Sequence, residues 1–360
     1  MAGYSNALKR YNNLKERTLC FDNFIKSEDR ARKGKLRSYG VRRFDKLGYE
    51  GKIKALNDLK LLLNNNTYKT SEYTTYKIYE PKERLIFRLP YYPDRIVHHV
   101  LMSILEPIFV NWFIKNTYSC IKNRGIHKMQ ATIEHALQHI DDTKWCLKLD
   151  IRKFYPSINN TKLSRIMSQK IKDKWMMNIL NEIIFSSDKG VPIGNYLSQF
   201  FANAYLTKID HYIKEGLGIK HYYKYCDDIV IFDSNKQALY KTYRLIKQKL
   251  SFLDLTLKPP RLFYTESGVD FAGYVFRHKY TLLRKSMKLK FIKAVKGAKD
   301  LTSIKQKIAS YYGWLIHCDG IHLLKMYIKD LYYGFKKHYF KCCGTRTCKL
   351  GRCRKVVAKR

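Results

Sequence analysis

Two adjacent carboxylates, Asp227 and Asp228, follow Tyr225 and Cys226 between two runs, HYYKY and IVIF, that read as β-strands. The pair is therefore expected at the turn of a hairpin. Like charges repel there, and a bound divalent cation makes such an arrangement favourable. A third run, WCLKLD, reads as a strand that ends on Asp150. Three carboxylates at strand ends offer hard oxygen ligands on rigid supports. That is the requirement of a centre for phosphoryl transfer holding two Mg2+ ions roughly 3.5–4 Å apart. An Asp-Asp pair alone is a common turn, and Asp141-Asp142, which precedes a strand instead of joining two, reads as a solvated one.

The elements that must hold these residues can be read along the chain. YTTYKIYEP and KERLIFRLP read as strands bounded by Pro81 and Pro90. DRIVHHVLMSILEPIF has apolar residues at helical spacing, with Asp94 placed to cap its start. After Asp150 one helical stretch runs through KLSRIMSQKIKDKWMMNILNEIIF, and the loop DKGVPIG opens a second helix, NYLSQFFANAYLTKIDHYI. A further helix (KQALYKTYRLIKQKLSFL) precedes strands around VDFAGYVF and YTLLRKS. The last hundred or so residues, with SIKQKIASYYGWLIH and GIHLLKMYIKDLYYGFKKHYF, read as a small helical bundle. The order is mixed α+β and then all-α. With no repeat and no low-complexity linker, the parts are expected to pack as one body.

Lys and Arg number 70 against 30 acidic residues, a net charge of +40 spread along 360 residues. A long polyanion, by default nucleic acid, is the expected partner. No apolar run approaches the length of a membrane span, and the N-terminus lacks the apolar core of a signal peptide. The 29 tyrosines are often interleaved with Lys, as in HYYKYCDD, so that some rings can stack on bases while Lys meets phosphates. Nine cysteines without a repeated spacing fit a reducing cytoplasm. Cys342, Cys343, Cys348 and Cys353 crowd the tail near His338, but their spacing suits zinc poorly. A basic tail lying along RNA is the simpler expectation.

From about residue 70 to about residue 335 the chain resembles the reverse transcriptase family, with seven segments in family order. They are YEPKERLIFRLPYYPDRIVHHVLMSILEPIF, NTYSCIKNRGIHKMQATI, LKLDIRKFYPSI, GVPIGNYLSQFFANAYL, YKYCDDIVIF, LDLTLKPPRLFY and VDFAGYVF. The resemblance implies an α+β right-hand polymerase fold. It would comprise a basic, mostly helical extension (1–70), fingers (71–140), a palm with an antiparallel sheet and the remaining finger elements (141–280), a helical thumb (281–340) and a basic, Cys-containing tail (341–360). It also implies Asp150 and Asp227 as principal Mg2+ ligands, with Asp228 completing the cluster. Lys82 and Arg84 would clamp the incoming triphosphate. Tyr155, together with Ile151, would line the nucleotide site, its ring crowding a ribose 2′-OH and so selecting deoxynucleotides. Tyr225 and Cys226 would support the hairpin, and VDFAGYVF would grip the primer. The sixth segment should place a cation near the leaving pyrophosphate, either Lys258 or Arg261.

The fourth segment departs from the common bacterial form Q-G-x-x-x-S-P. It reads Ile193-Gly194-Asn195-Tyr196-Leu197-Ser198-Gln199, which resembles the reverse transcriptases of diversity-generating retroelements. That resemblance implies cDNA mutated mainly at template adenines and copied from a template-repeat RNA. It also implies a small helical accessory protein as a partner and a cytoplasmic setting in a bacterial or phage-infected cell. An intron-derived, retron-like or phage-defence reverse transcriptase is the alternative within the family. A catalytically dead RNA-binding scaffold is the alternative outside it, and the intact Asp150, Asp227 and Asp228 speak against that one. The bulky Tyr155 speaks against a template-directed RNA polymerase.

Overall fold

The computed structural model describes residues 9–79, 83–298 and 300–327. Lys82, the tail cysteines and His338 lie outside the described residues. By packing, the chain divides into two compact units, Met1–Ser267 and Gly268–Arg360.

The first unit opens with helices α1 (Lys15–Leu19), α2 (Phe21–Arg32), α3 (Tyr39–Asp45) and α4 (Gly48–Asn64). They are tied to the rest of the unit by hydrogen bonds that span long stretches of sequence. Lys172 N–H donates to the Tyr11 carbonyl (2.7 Å), Tyr11 N–H to the Lys170 carbonyl (3.0 Å), and Leu14 N–H to Asp173 Oδ2 (2.6 Å). Strands β1 (Thr74–Tyr79) and β2 (Glu83–Arg88) form an antiparallel hairpin with mostly exposed side chains. A kinked turn, Tyr91–Arg95, leads into α5 (Ile96–Trp112). Asp94 does not cap α5. Its buried carboxylate instead accepts from Tyr68 Oη (2.7 Å) and from Ser71 N–H (3.0 Å). A competing pair of donors therefore overrode the local capping signal.

Helix α6 (Ile126–Leu137) precedes β3 (Trp145–Asp150), and the short α7 (Phe154–Ser157) follows it. The single helix expected across residues 162–185 is two helices, α8 (Asn160–Lys170) and α9 (Lys174–Ile184). The break comes at Ile171, whose backbone bridges to Tyr11, and Asp173 then starts α9 by accepting from Met176 N–H (2.9 Å). Helix α10 (Tyr196–His211) buries Leu197, Phe200, Phe201, Ala204, Tyr205 and Ile209. At about 1.5–3 kcal/mol for each large apolar side chain, that face anchors the unit. Strands β4 (His221–Tyr225) and β5 (Asp228–Asp233), helix α11 (Lys236–Ser251) and strand β6 (Arg261–Tyr264) complete it. The sheet runs β4-β5-β3-β6, antiparallel throughout. Beneath it, the fully buried Lys224 Nζ and Tyr222 Oη both bond the Asp210 carboxylate of α10, so a satisfied charge pair locks that helix to β4. Asp141 and Asp142 sit on a short exposed turn, paired with Lys144 and Lys220, as expected.

The second unit has its own antiparallel sheet of β7 (Val269–Phe271), β8 (Tyr274–Phe276) and β9 (Thr281–Leu283). Helices α12 (Lys285–Lys296), α13 (Leu301–Leu315) and α14 (Ile321–Tyr327) follow. The VDFAGYVF hairpin thus belongs to this unit. Among the described residues no helix is long and apolar enough to cross a membrane.

Candidate active site

The hairpin register sets the carboxylates. Tyr225 pairs with Asp228 across β4 and β5, so the turn is Cys226-Asp227 and Asp228 is already in the strand. Cys226 holds the turn in the left-handed region (φ 54°), a conformation that costs a non-glycine residue energy and is met at functional turns. Asp228 is also the partner of Asp150 across β5 and β3. Ile151 N–H donates to the Asp227 carbonyl (3.3 Å). Antiparallel pairing therefore gathers three acids, 77 residues apart in the chain from Asp150 to Asp227, at one end of the central strands.

Their electrostatics follow from that crowding. Asp227 is held above the usual carboxylate range, first by burial and then by Asp228 and Asp150, with Lys258 pulling the other way. Lys258 Nζ bonds Asp150 Oδ2 (2.6 Å), and its backbone N–H bonds the Asp150 carbonyl (2.9 Å). Asp150 Oδ1 is buried without a hydrogen-bond partner. Arg261 sits instead opposite Lys148, two residues back along β3. Among the described residues no three His, Cys, Asp or Glu side chains form a preassembled metal cage. The donor set nevertheless fits a hard divalent cation: a cluster of carboxylates, one orphaned buried oxygen and one acid whose ionisation is disfavoured first by burial and then by its acidic neighbours.

The remaining predicted residues fall in two groups. Tyr155 and Ile151 lie beside the acids. Ile151 is buried, and its backbone bridges Leu257. The Tyr155 hydroxyl is pushed up first by burial, then by Cys226, Cys120 and Asp227. Burial likewise pushes the Tyr225 hydroxyl up to about 12. Cys226 also shares a hydrogen bond with Cys120, and that bond raises the Cys120 thiol.

The second group is the Ile193–Gln199 segment, docked by its backbone. Val191 N–H donates to the Tyr155 carbonyl (3.0 Å), and Phe87 N–H of β2 to the Ile193 carbonyl (2.8 Å). Gly194 has φ +122°, and a Cβ there would collide with the Phe87 carbonyl oxygen. Ser198 is buried and Gln199 exposed, both in the first turn of α10. The structure thus joins the Ile193 loop to the Tyr155 segment on one side and to the β1–β2 hairpin on the other. Arg84 is exposed on β2.

Sequence reasoning missed the Lys258–Asp150 pair, leaving Lys258 and Arg261 as equals. It also missed Cys120 and the contacts of Tyr73 and Asn195 described below. No local signal marks them, because each depends on a register between distant segments.

The family model described as reverse transcriptase (RNA-dependent DNA polymerase) matches residues 79–276, more than half of the chain. Protein YkfC of Escherichia coli (strain K12) is 24% identical over 154 residues, which are 39% of this chain and 40% of the relative. The retron Ec73 reverse transcriptase of Escherichia coli is 27% identical over 166 residues, 42% of this chain and 51% of the relative. The chain thus spans about half or less of the length of these relatives. Apo telomerase from Candida tropicalis superposes with a TM-score of 0.46 and 11% identity, over 72% of this chain and 56% of that one. From the motif order, the antiparallel sheet carrying the acids and the extent of the family match, the chain belongs to the reverse transcriptase family, with its α+β polymerase fold.

Proposed function

We propose that this chain is an RNA-directed DNA polymerase whose catalytic and metal-binding residues are Asp150, Asp227 and Asp228. The observation that carries the reading is the pairing of Asp150 with Asp228 on adjacent strands, with Asp227 at the turn beside them. These acids would hold two Mg2+ ions, which when bound activate the primer 3′-OH and neutralise the leaving pyrophosphate. The chain's own residues do the rest. Lys258, already at Asp150, is the cation that would face the pyrophosphate, and Lys82 with Arg84 would hold the triphosphate. The Tyr155 ring would exclude a 2′-OH by steric crowding. Template RNA, nascent cDNA and dNTPs are the substrates and partners of this reading.

The finer proposal is the diversity-generating class, supported by Ile193-Gly194 and Ser198-Gln199, with a template-repeat RNA and a small helical accessory protein as partners. Where a Gln could hydrogen-bond beside the nascent base pair, Ile193 offers only apolar contact. Discrimination falls when a polar positioning contact is lost. The similarity to a retron reverse transcriptase favours the second reading, a faithful polymerase of another bacterial class.

Deep sequencing of cDNA made on a defined RNA template tests both. Products that disappear in the Asp227→Ala/Asp228→Ala variant support the polymerase, and errors concentrated at template adenines support the finer class. Faithful cDNA would move the chain to the second reading, and no cDNA under any condition would overturn the enzyme. Within the finer class, Ile193→Gln is expected to lower misincorporation opposite template adenine several-fold. An unchanged error spectrum in that variant removes Ile193 from the account.

A further inference from the structure

Among the described residues, three helices of the first unit begin after an asparagine, and one of the three behaves differently. Asn159 Oδ1 caps α8 by accepting from Lys162 N–H (3.0 Å). Asn235 Oδ1 caps α11 by accepting from Gln237 N–H (2.8 Å) and Ala238 N–H (3.2 Å). Asn195 stands at the same place before α10, with the same extended backbone, yet makes no side-chain cap. It is buried and donates its Nδ2 to Tyr73 Oη (2.9 Å). A cap is ordinarily among the most useful things an asparagine does for a helix. Here the amide is aimed instead at a residue 122 positions away.

The contact continues in a directed chain. Ser186 Oγ donates to the Ile183 carbonyl (2.7 Å), so its hydroxyl proton is committed. The Tyr73 hydroxyl must then donate to Ser186 Oγ (2.7 Å) while accepting from Asn195. The Tyr73 ring also stands edge-on to Phe87, with centroids 5.8 Å apart. Phe87 N–H in turn holds the Ile193 carbonyl. Tyr73, Phe87, Ile193 and Asn195 therefore close a ring around Gly194, the residue with no room for a Cβ. Its two fixed points on the loop are the residues on either side of Gly194.

We propose that Tyr73 and Asn195 are positioning residues that set where Ile193 stands against the nascent base pair, and so help determine nucleotide selection. The inference rests on the polymerase reading given above. Neither side chain acts on substrate. Losing the Tyr73 hydroxyl frees the Asn195 amide from its anchor and leaves the Ile193–Gly194 peptide held on the Phe87 side alone.

Tyr73→Phe deletes only the hydroxyl and keeps the ring against Phe87. Steady-state incorporation and cDNA sequencing on the full chain are expected to show KM for dNTP raised about fivefold, the factor that one hydrogen bond is worth. KM should rise by more than kcat falls, the error spectrum should shift, and the melting temperature should stay close to that of the wild type. Asn195→Ser, which removes the amide but leaves a capping hydroxyl, should give the same shift. The double variant should add nothing further, because both act through one contact. Wild-type KM and spectrum in both variants would overturn the positioning role alone. So would a loss confined to kcat and melting temperature, the mark of a structural role. No cDNA from the wild-type chain would instead overturn the polymerase reading, and the inference with it.

Discussion

Lys258 holds one oxygen of Asp150 with a full positive charge, in the place where a cation is expected to bind. Its ammonium offsets the repulsion among Asp150, Asp227 and Asp228 while competing for one of their oxygens. Lys258→Met should therefore separate two effects. Mn2+ binding without nucleotide, followed by electron paramagnetic resonance, should tighten about tenfold, as expected when a charge-assisted hydrogen bond no longer competes. The metal-free chain should melt at a lower temperature, and added Mg2+ should restore it. Weaker Mn2+ binding in the variant would show that Lys258 assists the ion instead of standing in for it. The acids themselves were legible in the sequence, because Asp150 ends one strand-like run, Asp227 and Asp228 stand between two others, and strand ends and hairpin turns are local signals. Lys258 was not. It reaches Asp150 through the Ile151–Leu257 bridge, and nothing in LTLKPP distinguishes it from Arg261 until that register is known.

Helix α5 carries a cost that shows itself in acid. His98 and His99 are buried, each with a ring Nε2 that lacks a partner, and burial together with the nearby Arg95 lowers them from 6.5 to about 3 and about 4. A histidine depressed in the folded state is protonated more readily in the unfolded chain, so folding stability falls as pH drops below 6.5. Between pH 7 and pH 5 the loss should be about 2 kcal/mol for each histidine. Urea midpoints at the two pH values measure it, and His98→Gln/His99→Phe should flatten most of the difference. An equal fall in that variant would assign the acid sensitivity elsewhere. Elements built from local pattern were legible in the same way as the acids: the antiparallel hairpins, α10 and α11 all stand close to where periodicity puts them. The division of one expected helix into α8 and α9 was not, since the residue that breaks it, Ile171, is an ordinary apolar residue that happens to pair with Tyr11. Asp94 misled for the complementary reason. Its capping signal was genuine but weaker than the two donors, Tyr68 and Ser71, that the fold brings to it.

At the level of the whole chain the dominant number is the net charge of +40. A polymerase that grips a hybrid duplex through its phosphates should bind it with an affinity that falls linearly on a plot of log K against log salt. With about six phosphates contacted, the loss between 50 and 200 mM salt is on the order of a thousandfold. Fluorescence anisotropy with a labelled RNA–DNA hybrid gives the slope, and a slope near zero would mean that the charge serves some other purpose. Composition pointed to a polyanionic partner before any motif was read. It could not reveal that packing divides the chain at Ser267–Gly268, because no change in composition marks that point.

The tether between Tyr11, Leu14 and the Ile171–Asp173 turn has a consequence in time. Leu14 and Asp173 are 159 positions apart, so a ribosome adding roughly 5–20 residues per second completes the second partner on the order of ten seconds after the first. Throughout that interval the Tyr11–Leu14 segment lacks its Ile171–Asp173 partner, and the cations near it are exposed beside the polyanionic ribosome and its message. The chain's first encounter with RNA would then come during its own synthesis, before the site that is to copy RNA has been assembled.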